Sequence, residues 1–269
     1  MTAVLVTGGT GFIGAALIAR LRADGVEVRA PGREAWGDWS MALAGADAVV
    51  HLAGPAHGRF GEDVLRAAIE QSTARLARQA EEAGVARFIF VSSIKASAAR
   101  SYERAVSERD PPAPQDAYGR AKWRAEQAVL EHGRLNPVVL RPPLVHAPDA
   151  RANFGMLLAL AASGAPLPFA GLANRRSLIS RAALIEAIKA ALAEGPAGVF
   201  HLADRPSLST PELITALRRG LGLPARLFRA PPLASLAPAA LTESLESDDS
   251  AFREAYGYGP HTGIDAAQA

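Results

Sequence analysis

Thr7-Gly8-Gly9-Thr10-Gly11-Phe12-Ile13-Gly14 decides the fold. The stretch follows a short β-rich run, Ala3–Val6, and opens a segment in which Phe12, Ile13, Ala16, Leu17 and Leu21 recur at helical spacing. Gly8, Gly11 and Gly14 fit G-x-x-G-x-x-G. The first glycine allows a sharp turn out of the strand, the second a close approach of backbone to an anion, the third tight helix–strand packing. A helix that starts there offers free amides and the positive end of its dipole. A glycine turn alone is a weak signal. Between a strand and an amphipathic helix it predicts a pyrophosphate cradle for a dinucleotide.

Outward from this loop, strands and helices alternate. Gly25 ends the first helix and Val26–Ala30 reads as a second strand. Ala48-Val49-Val50 and Leu52 form an apolar run of the kind buried on both faces of a parallel sheet. A helix is expected over 63–83, a strand over Phe88–Val91, a helix over 117–132 and a strand over Pro137–Leu140. This predicts an α/β fold: a doubly wound parallel sheet of Rossmann type. Past residue 145 the rhythm loosens, with helices expected at 151–163, 181–193 and 209–220. Ser209 and Glu212 form a capping box there, with Pro211 in the first turn. Residues 1–145 are assigned to the dinucleotide domain and 146–269 to a smaller, interleaved C-terminal lobe. Parts of that lobe, about 174–205, return to the first domain, with a strand at Val199–Leu202. Residues 223–240, rich in proline and alanine, read as loop.

Composition removes several classes of function. The chain of 269 residues has no cysteine, so disulfides, thiol catalysis and thiolate metal sites are excluded. Its formal charge is only +2, with scattered arginines, so nothing points to nucleic acid. No segment approaches the ~20 apolar residues of a bilayer span. The N-terminus carries no signal pattern, and a cytoplasmic location is expected. No convincing metal cluster is found, and His51 is expected to pack at a strand end.

About 20 residues past the glycines, an acid would bond the ribose hydroxyls of NAD. That zone holds Arg29 and Arg33 instead. Arginines suit a 2′-phosphate, which favours NADP over NAD; the alternative is that they face water. Asp38 is either an adenine ligand or a plain loop residue. Farther on, Tyr118-Gly119-Arg120-Ala121-Lys122 is Y-x-x-x-K, whose ends share one helix face. A phenol titrates near ~10, and a neighbouring ammonium is expected to lower that value. Ser93 closes the strand Phe88–Val91, where ligands sit in sheets of this class.

Together these segments resemble the extended short-chain dehydrogenase/reductases, the NAD-dependent epimerase/dehydratase family of nucleotide-sugar enzymes. The resemblance includes TGGTGFIG (7–14), HLAG (51–54), FIFVSSIKA (88–96), PQDAYGRAKWRAEQ (114–127), LRPPLVHAP (140–148), ANF (152–154), NRRSLI (174–179) and LSTPELI (208–214). It implies Ser93, Tyr118 and Lys122 as the catalytic set. It places the cofactor on Gly8, Gly11, Phe12, Ile13, Gly14, Leu52, Ala53, Gly54, Tyr118, Lys122, Pro142 and Leu144. Asn153 and Arg176, with Ser93, would bind substrate. The SSIK, NRRS and STPEL segments are similar to bacterial UDP-sugar 4-epimerases and 4-keto reductases of surface-polysaccharide pathways, including those making UDP-N-acetylquinovosamine.

The expected activity is NADPH-dependent reduction of a UDP-4-keto sugar. The alternatives are a UDP-hexose 4-epimerase that retains NAD and, from another class, a non-enzymatic dinucleotide sensor. A homodimer through helices 63–83 and 117–132 is also expected. Departures from the family pattern fall at Ile69, where an asparagine is usual, at His146-Ala147 for tyrosine–glycine, and at Arg181-Ala182-Ala183 for V-D-N. Ile94 and Lys95 after Ser93 argue against a dehydratase, which uses an Asp–Glu pair there.

Overall fold

The computed structural model describes residues 3–32, 37–55, 60–101, 103–150, 152–229 and 239–259. Strand β1 (Ala3–Thr7) is buried along its whole length. It leads through the glycine turn into helix α1 (Gly14–Ala23), which buries Leu17, Ile18 and Leu21. Then follow β2 (Glu27–Arg29), α2 (Ser40–Leu43) and β3 (Ala48–His51). Next come α3 (Glu62–Leu65) and α4 (Ser72–Glu82), β4 (Arg87–Val91), α5 (Ala117–Leu130) and β5 (Val138–Arg141). In the second half lie β6 (Leu144–His146), α6 (Ala152–Ala162), β7 (Leu178–Ser180), α7 (Arg181–Leu192) and β8 (Gly198–His201). Helices α8 (Thr210–Gly220), α9 (Ala239–Thr242) and α10 (Ser250–Tyr256) complete the described chain.

Among the described residues the main sheet has the order β2-β1-β3-β4-β5-β8. Every pairing in it is parallel. The crossover direction reverses at β1, so a crevice opens at the carboxyl end of β1, where the glycine turn lies. Strand periodicity divides the core into two layers. Val4 and Val6, Ala48 and Val50, Ile89 and Val91, Val138 and Leu140 face α1 and α7. Leu5, Val49, Phe88 with Phe90, and Val139 face α4 and α5. The apolar runs of the sequence are therefore continuous because both faces of the sheet are covered.

A third cluster, with Phe154, Leu157, Leu167, Phe169, Leu213, Ile214 and Leu217, builds the smaller lobe from α6 and α8. A two-stranded parallel sheet, β6–β7, joins it to the rest. Helix α8 starts on Ser209, whose hydroxyl and amide both engage Glu212. The capping box read from the sequence is complete. Among the described residues no helix is long and apolar enough to cross a membrane.

The structure corrects several boundaries. The helix expected over 63–83 is interrupted by a π-helical turn, Arg66–Gln71, which buries Ile69. The strand expected over Val26–Ala30 is reduced to Glu27–Arg29 at the sheet edge. Strands β6 and β7, three residues each, are too short to leave a period in the sequence. Within the expected loop 223–240, Leu227 bridges Leu167, and Ala239 opens a short helix. Residues 230–238 lie outside the described residues. Helix α10 also went unread; it buries Phe252 against Phe200, their ring centroids 5.8 Å apart.

Candidate active site

The glycine turn is built by close approach. Gly8 sits at φ +72°, and a Cβ there would meet the Ala53 amide nitrogen at 2.8 Å. A Cβ on Gly14 would fall well inside contact distance of the Gly8 carbonyl oxygen. The turn therefore closes on Leu52-Ala53-Gly54, the segment after β3. The Leu52 amide donates to the Thr7 carbonyl and the Ala53 amide to Thr7 Oγ1, each at 3.3 Å. Helix α1 has Ile13 at its N-cap, with no capping side chain and no acid in its first turn. An uncapped helix start behind a glycine turn is an anion site, and these residues fit a dinucleotide diphosphate.

Behind this cradle His51 is fully buried. Its Nδ1 lies 2.6 Å from Thr7 Oγ1 and its Nε2 2.9 Å from Thr73 Oγ1. Burial, helped by the charge of Lys122, pulls its pKa down to about 3, so the ring is neutral. One nitrogen donates and the other accepts, and the histidine is a structural tie.

Neighbouring side chains at the end of β4 point apart, as strand geometry requires. Ser92 turns inward and its hydroxyl bonds Glu126. Ser93 points the other way, caps the short turn Ile94–Ala96 by accepting from the Lys95 amide at 3.3 Å, and works to lower the pKa of Tyr118. The Ile94 amide donates to the Pro142 carbonyl at 3.0 Å, which ties that turn to the end of β5. Helix α5 carries Tyr118 and Lys122 one turn apart. Lys122 is buried; its Nζ donates to the Val91 carbonyl at 2.9 Å and lies 4.7 Å from the Phe90 ring centroid. Burial, opposed by Glu126, pulls its pKa down to about 8.

Here the electrostatic expectation fails. Tyr118 was expected to be acidified by Lys122. In the structure burial raises its pKa, Asp116 adds to the rise, and the Ser93 hydroxyl offsets only part of it. Desolvation of the phenol dominates.

Two acid–base pairs around the site went unread. Asp116 is the N-cap of α5: its Oδ1 accepts from the Gly119 amide and its Oδ2 from Lys95 Nζ, both at 2.7 Å. Burial works to raise its pKa, but the bonds from Lys95 and Gly119 hold it below the usual carboxylate value. Lys95 Nζ also stands 6.0 Å from the Tyr118 ring centroid. An aspartate just ahead of a helix was the available signal. The second pair, Glu126 and Arg141, is buried and bidentate, with Arg141 Nη2 2.6 Å from Oε2 and Nε 3.0 Å from Oε1. Arg141 Nη1 reaches Ser97 Oγ at 2.8 Å, and Ser97 meets His201 Nε2 at 2.9 Å. Removing one partner of such a pair costs about 3–5 kcal/mol. The signal there was Glu126 one turn beyond Lys122 on the same helix face.

Other expected residues are less directly placed. Arg29 donates to Glu27 Oε1 at 3.1 Å and to the Ala44 carbonyl. Asp38 accepts from the Ser40 amide at 3.0 Å and from its hydroxyl at 2.6 Å. Arg33 lies outside the described residues. Asn153 is the second residue of α6. Arg176 is paired through its backbone with Leu208, its Nη1 donates to the Glu243 carbonyl at 3.0 Å, and burial lowers its pKa. Leu144 opens β6 and packs against the lobe cluster.

Comparison with known proteins agrees with this geometry. A family model described as "NAD dependent epimerase/dehydratase family" matches residues 4–203. A UDP-glucose 4-epimerase of Vibrio cholerae is 31% identical over 250 residues, covering 82% of this chain and 76% of that protein. A ceramide reductase of Caulobacter vibrioides is 27% identical over 266 residues, covering 91% and 78%. A UDP-N-acetylglucosamine 4-epimerase structure from Bacillus cereus superposes with a TM-score of 0.84 at 21% identity, covering 100% of this chain and 96% of that one. The similarity spans the cradle, the strand-end serine and the tyrosine helix alike. This chain is an enzyme of the extended short-chain dehydrogenase/reductase type and belongs to the NAD dependent epimerase/dehydratase family.

Proposed function

We propose that the protein is a nucleotide-sugar 4-epimerase that keeps its NAD bound, with a UDP-hexose as substrate. The reading rests on Ser93 at the carboxyl end of β4 beside Tyr118 on α5, whose pKa the serine hydroxyl works to lower. Support comes from the similarity to the Vibrio cholerae UDP-glucose 4-epimerase.

Gly8, Gly11, Phe12, Ile13 and Gly14 hold the cofactor diphosphate at the start of α1, beside Leu52, Ala53 and Gly54. Lys122 holds the nicotinamide ribose with donors left after its bond to Val91, and Pro142 and Leu144 pack the nicotinamide. When bound, the nicotinamide supplies the site's hydride acceptor and donor. Tyr118 Oη moves the proton at the sugar hydroxyl, and Ser93 Oγ orients that oxygen. Glu126 and Arg141 keep the strand end and α5 in register. Asn153 and Arg176 are the candidate grips on the substrate diphosphate. NAD is preferred to NADP because Arg29, one of the two arginines expected at a 2′-phosphate, is engaged by Glu27 and the Ala44 carbonyl. A homodimer through α4 and α5 belongs to the same proposal; a monomer by light scattering at micromolar concentration would count against it.

One-way reduction of a 4-keto sugar is the second reading. Support for it comes from the similarity to the Caulobacter vibrioides ceramide reductase. Turnover of UDP-sugars and UDP-4-keto sugars with absorbance of the reduced cofactor recorded separates the two. Epimerisation gives product with no net change in reduced cofactor. Reduction consumes the cofactor in step with product. A protein that binds NAD yet turns over no UDP- or dTDP-sugar contradicts both and leaves the sensor.

A further inference from the structure

Arg181 stands where helix physics disfavours it. It is the first residue of α7, and the start of a helix favours anions. Ser180 already caps that end, its Oγ accepting from the Ala183 amide at 3.1 Å. The arginine side chain is nevertheless only 24% exposed. Its guanidinium carbon lies 4.6 Å from the centroid of the Phe12 ring. Its Nη1 donates to the Phe12 carbonyl at 3.4 Å and to Asp149 Oδ2 at 2.9 Å. Among the described residues both of its hydrogen bonds leave from Nη1, so Nε and Nη2 have donors to spare.

Phe12 belongs to the glycine turn, and Ile13 after it stands at the N-cap of α1, which has no capping side chain. The guanidinium therefore sits at the rim of the anion cradle, held there by an exposed carboxylate and an aromatic face. A helix start presents only a fraction of a charge to a diphosphate, whereas a guanidinium brings a full charge and a planar fork. A local choice that opposes its own helix but faces an anion site is the kind of inconsistency that function explains.

We propose that Arg181 straps the dinucleotide into its cradle, reaching the cofactor diphosphate from across the Phe12 ring and slowing its release. The inference rests on the dinucleotide reading of residues 7–14 and adds to it a residue from the far half of the chain. A slow release is what an epimerase that retains its cofactor requires.

The test is binding, not turnover. Affinities and dissociation rates of NAD and of ADP-ribose, which keeps the diphosphate, are compared with adenosine, which lacks it. Arg181→Met preserves an apolar cover for Phe12 and removes the charge. It should weaken NAD and ADP-ribose by roughly ten- to a hundredfold, mostly through faster release, and leave adenosine unchanged. Arg181→Lys should recover part of the loss, and the gap to wild type should narrow as salt rises. Melting of the ligand-free variants checks their fold. Affinity and release within twofold of wild type in Arg181→Met overturn the strap alone. An equal loss for adenosine overturns it too, showing a structural effect. A wild type that binds neither NAD nor ADP-ribose overturns the dinucleotide reading and the strap with it.

Discussion

Two buried histidines, one behind the glycine turn and one where the smaller lobe begins, are held in different ways. His51, behind the glycine turn, has both ring nitrogens within hydrogen-bonding distance of threonines, at 2.6 and 2.9 Å. His146, on β6 against Phe154, is just as enclosed, at 3% exposure. Neither of its nitrogens has a hydrogen-bond partner among the described residues, and Asp204 Oδ2 stands 3.7 Å from its Nε2. One ring is specified down to single hydrogen bonds and the other rests on apolar packing, while elsewhere the lobe has directional ties of its own, with buried Arg218 donating to the Ala161, Ala165 and Ala225 carbonyls. Directional bonds fix the geometry that proton and hydride transfer need. Packing fixes volume, and volume is easily re-cut for a different sugar.

The comparison breaks or sharpens under substitution. If chemistry belongs to the cofactor half, Tyr118→Phe should lower kcat by about 10²–10⁴-fold on every substrate while NAD affinity holds. Steady-state rates on two sugars check this, and a loss on one sugar alone would move chemistry into the lobe. Next in size, His51→Leu strands the Thr7 and Thr73 hydroxyls and should cost roughly 1–3 kcal/mol in denaturant unfolding. His146→Leu should change stability by no more than about 0.5 kcal/mol or increase it, since it replaces a ring without partners by apolar volume. Equal losses would erase the contrast.

Acid sharpens the same point. In the fold His51 stays neutral down to about pH 3, whereas the unfolded chain takes up that proton near 6.5. The unfolded state thus binds the extra proton, and stability present above pH 6.5 is lost as pH falls toward 3. His201 acts in the same sense. His51→Leu should flatten that slope.

Smaller still, Arg176→Met should raise KM for a UDP-sugar about tenfold and spare kcat, because it removes binding shared by ground and transition states. An equal fall in kcat would place Arg176 in the chemistry instead. Lys95→Met should have the least effect. Asp116 acts on the Tyr118 ionisation, and Lys95 pairs with Asp116. Removing Lys95 uncovers Asp116, which further disfavours the phenolate, so kcat for substrate oxidation at neutral pH should fall by less than about tenfold. A rise in kcat contradicts this account of the pair.

The cofactor half was readable because its signals are local. Gly8 and Gly14 need a special backbone or a close approach, Ser93 ends an apolar strand, and Tyr118 and Lys122 share a helix face. What escaped depended on partners distant in sequence. Nothing near Tyr118 announces that desolvation and Asp116 raise its pKa, nor that Lys122 donates to Val91. The break at Arg66–Gln71 is invisible because both flanking helices keep good periodicity. In the lobe the helices were legible, α6 within a residue of its expected bounds and α8 marked by Ser209, Pro211 and Glu212 at its start. Strands β6 and β7 exist because the lobe folds back on them, and no alternation in three residues could show it.

The whole account rests on the cradle, and an equilibrium titration of NAD into wild type and Gly14→Val tests it most directly, with melting of both proteins recorded. The prediction is one NAD per wild-type chain and none in the variant, each protein unfolding cooperatively. Equal binding by both, or no binding by the wild type, contradicts it.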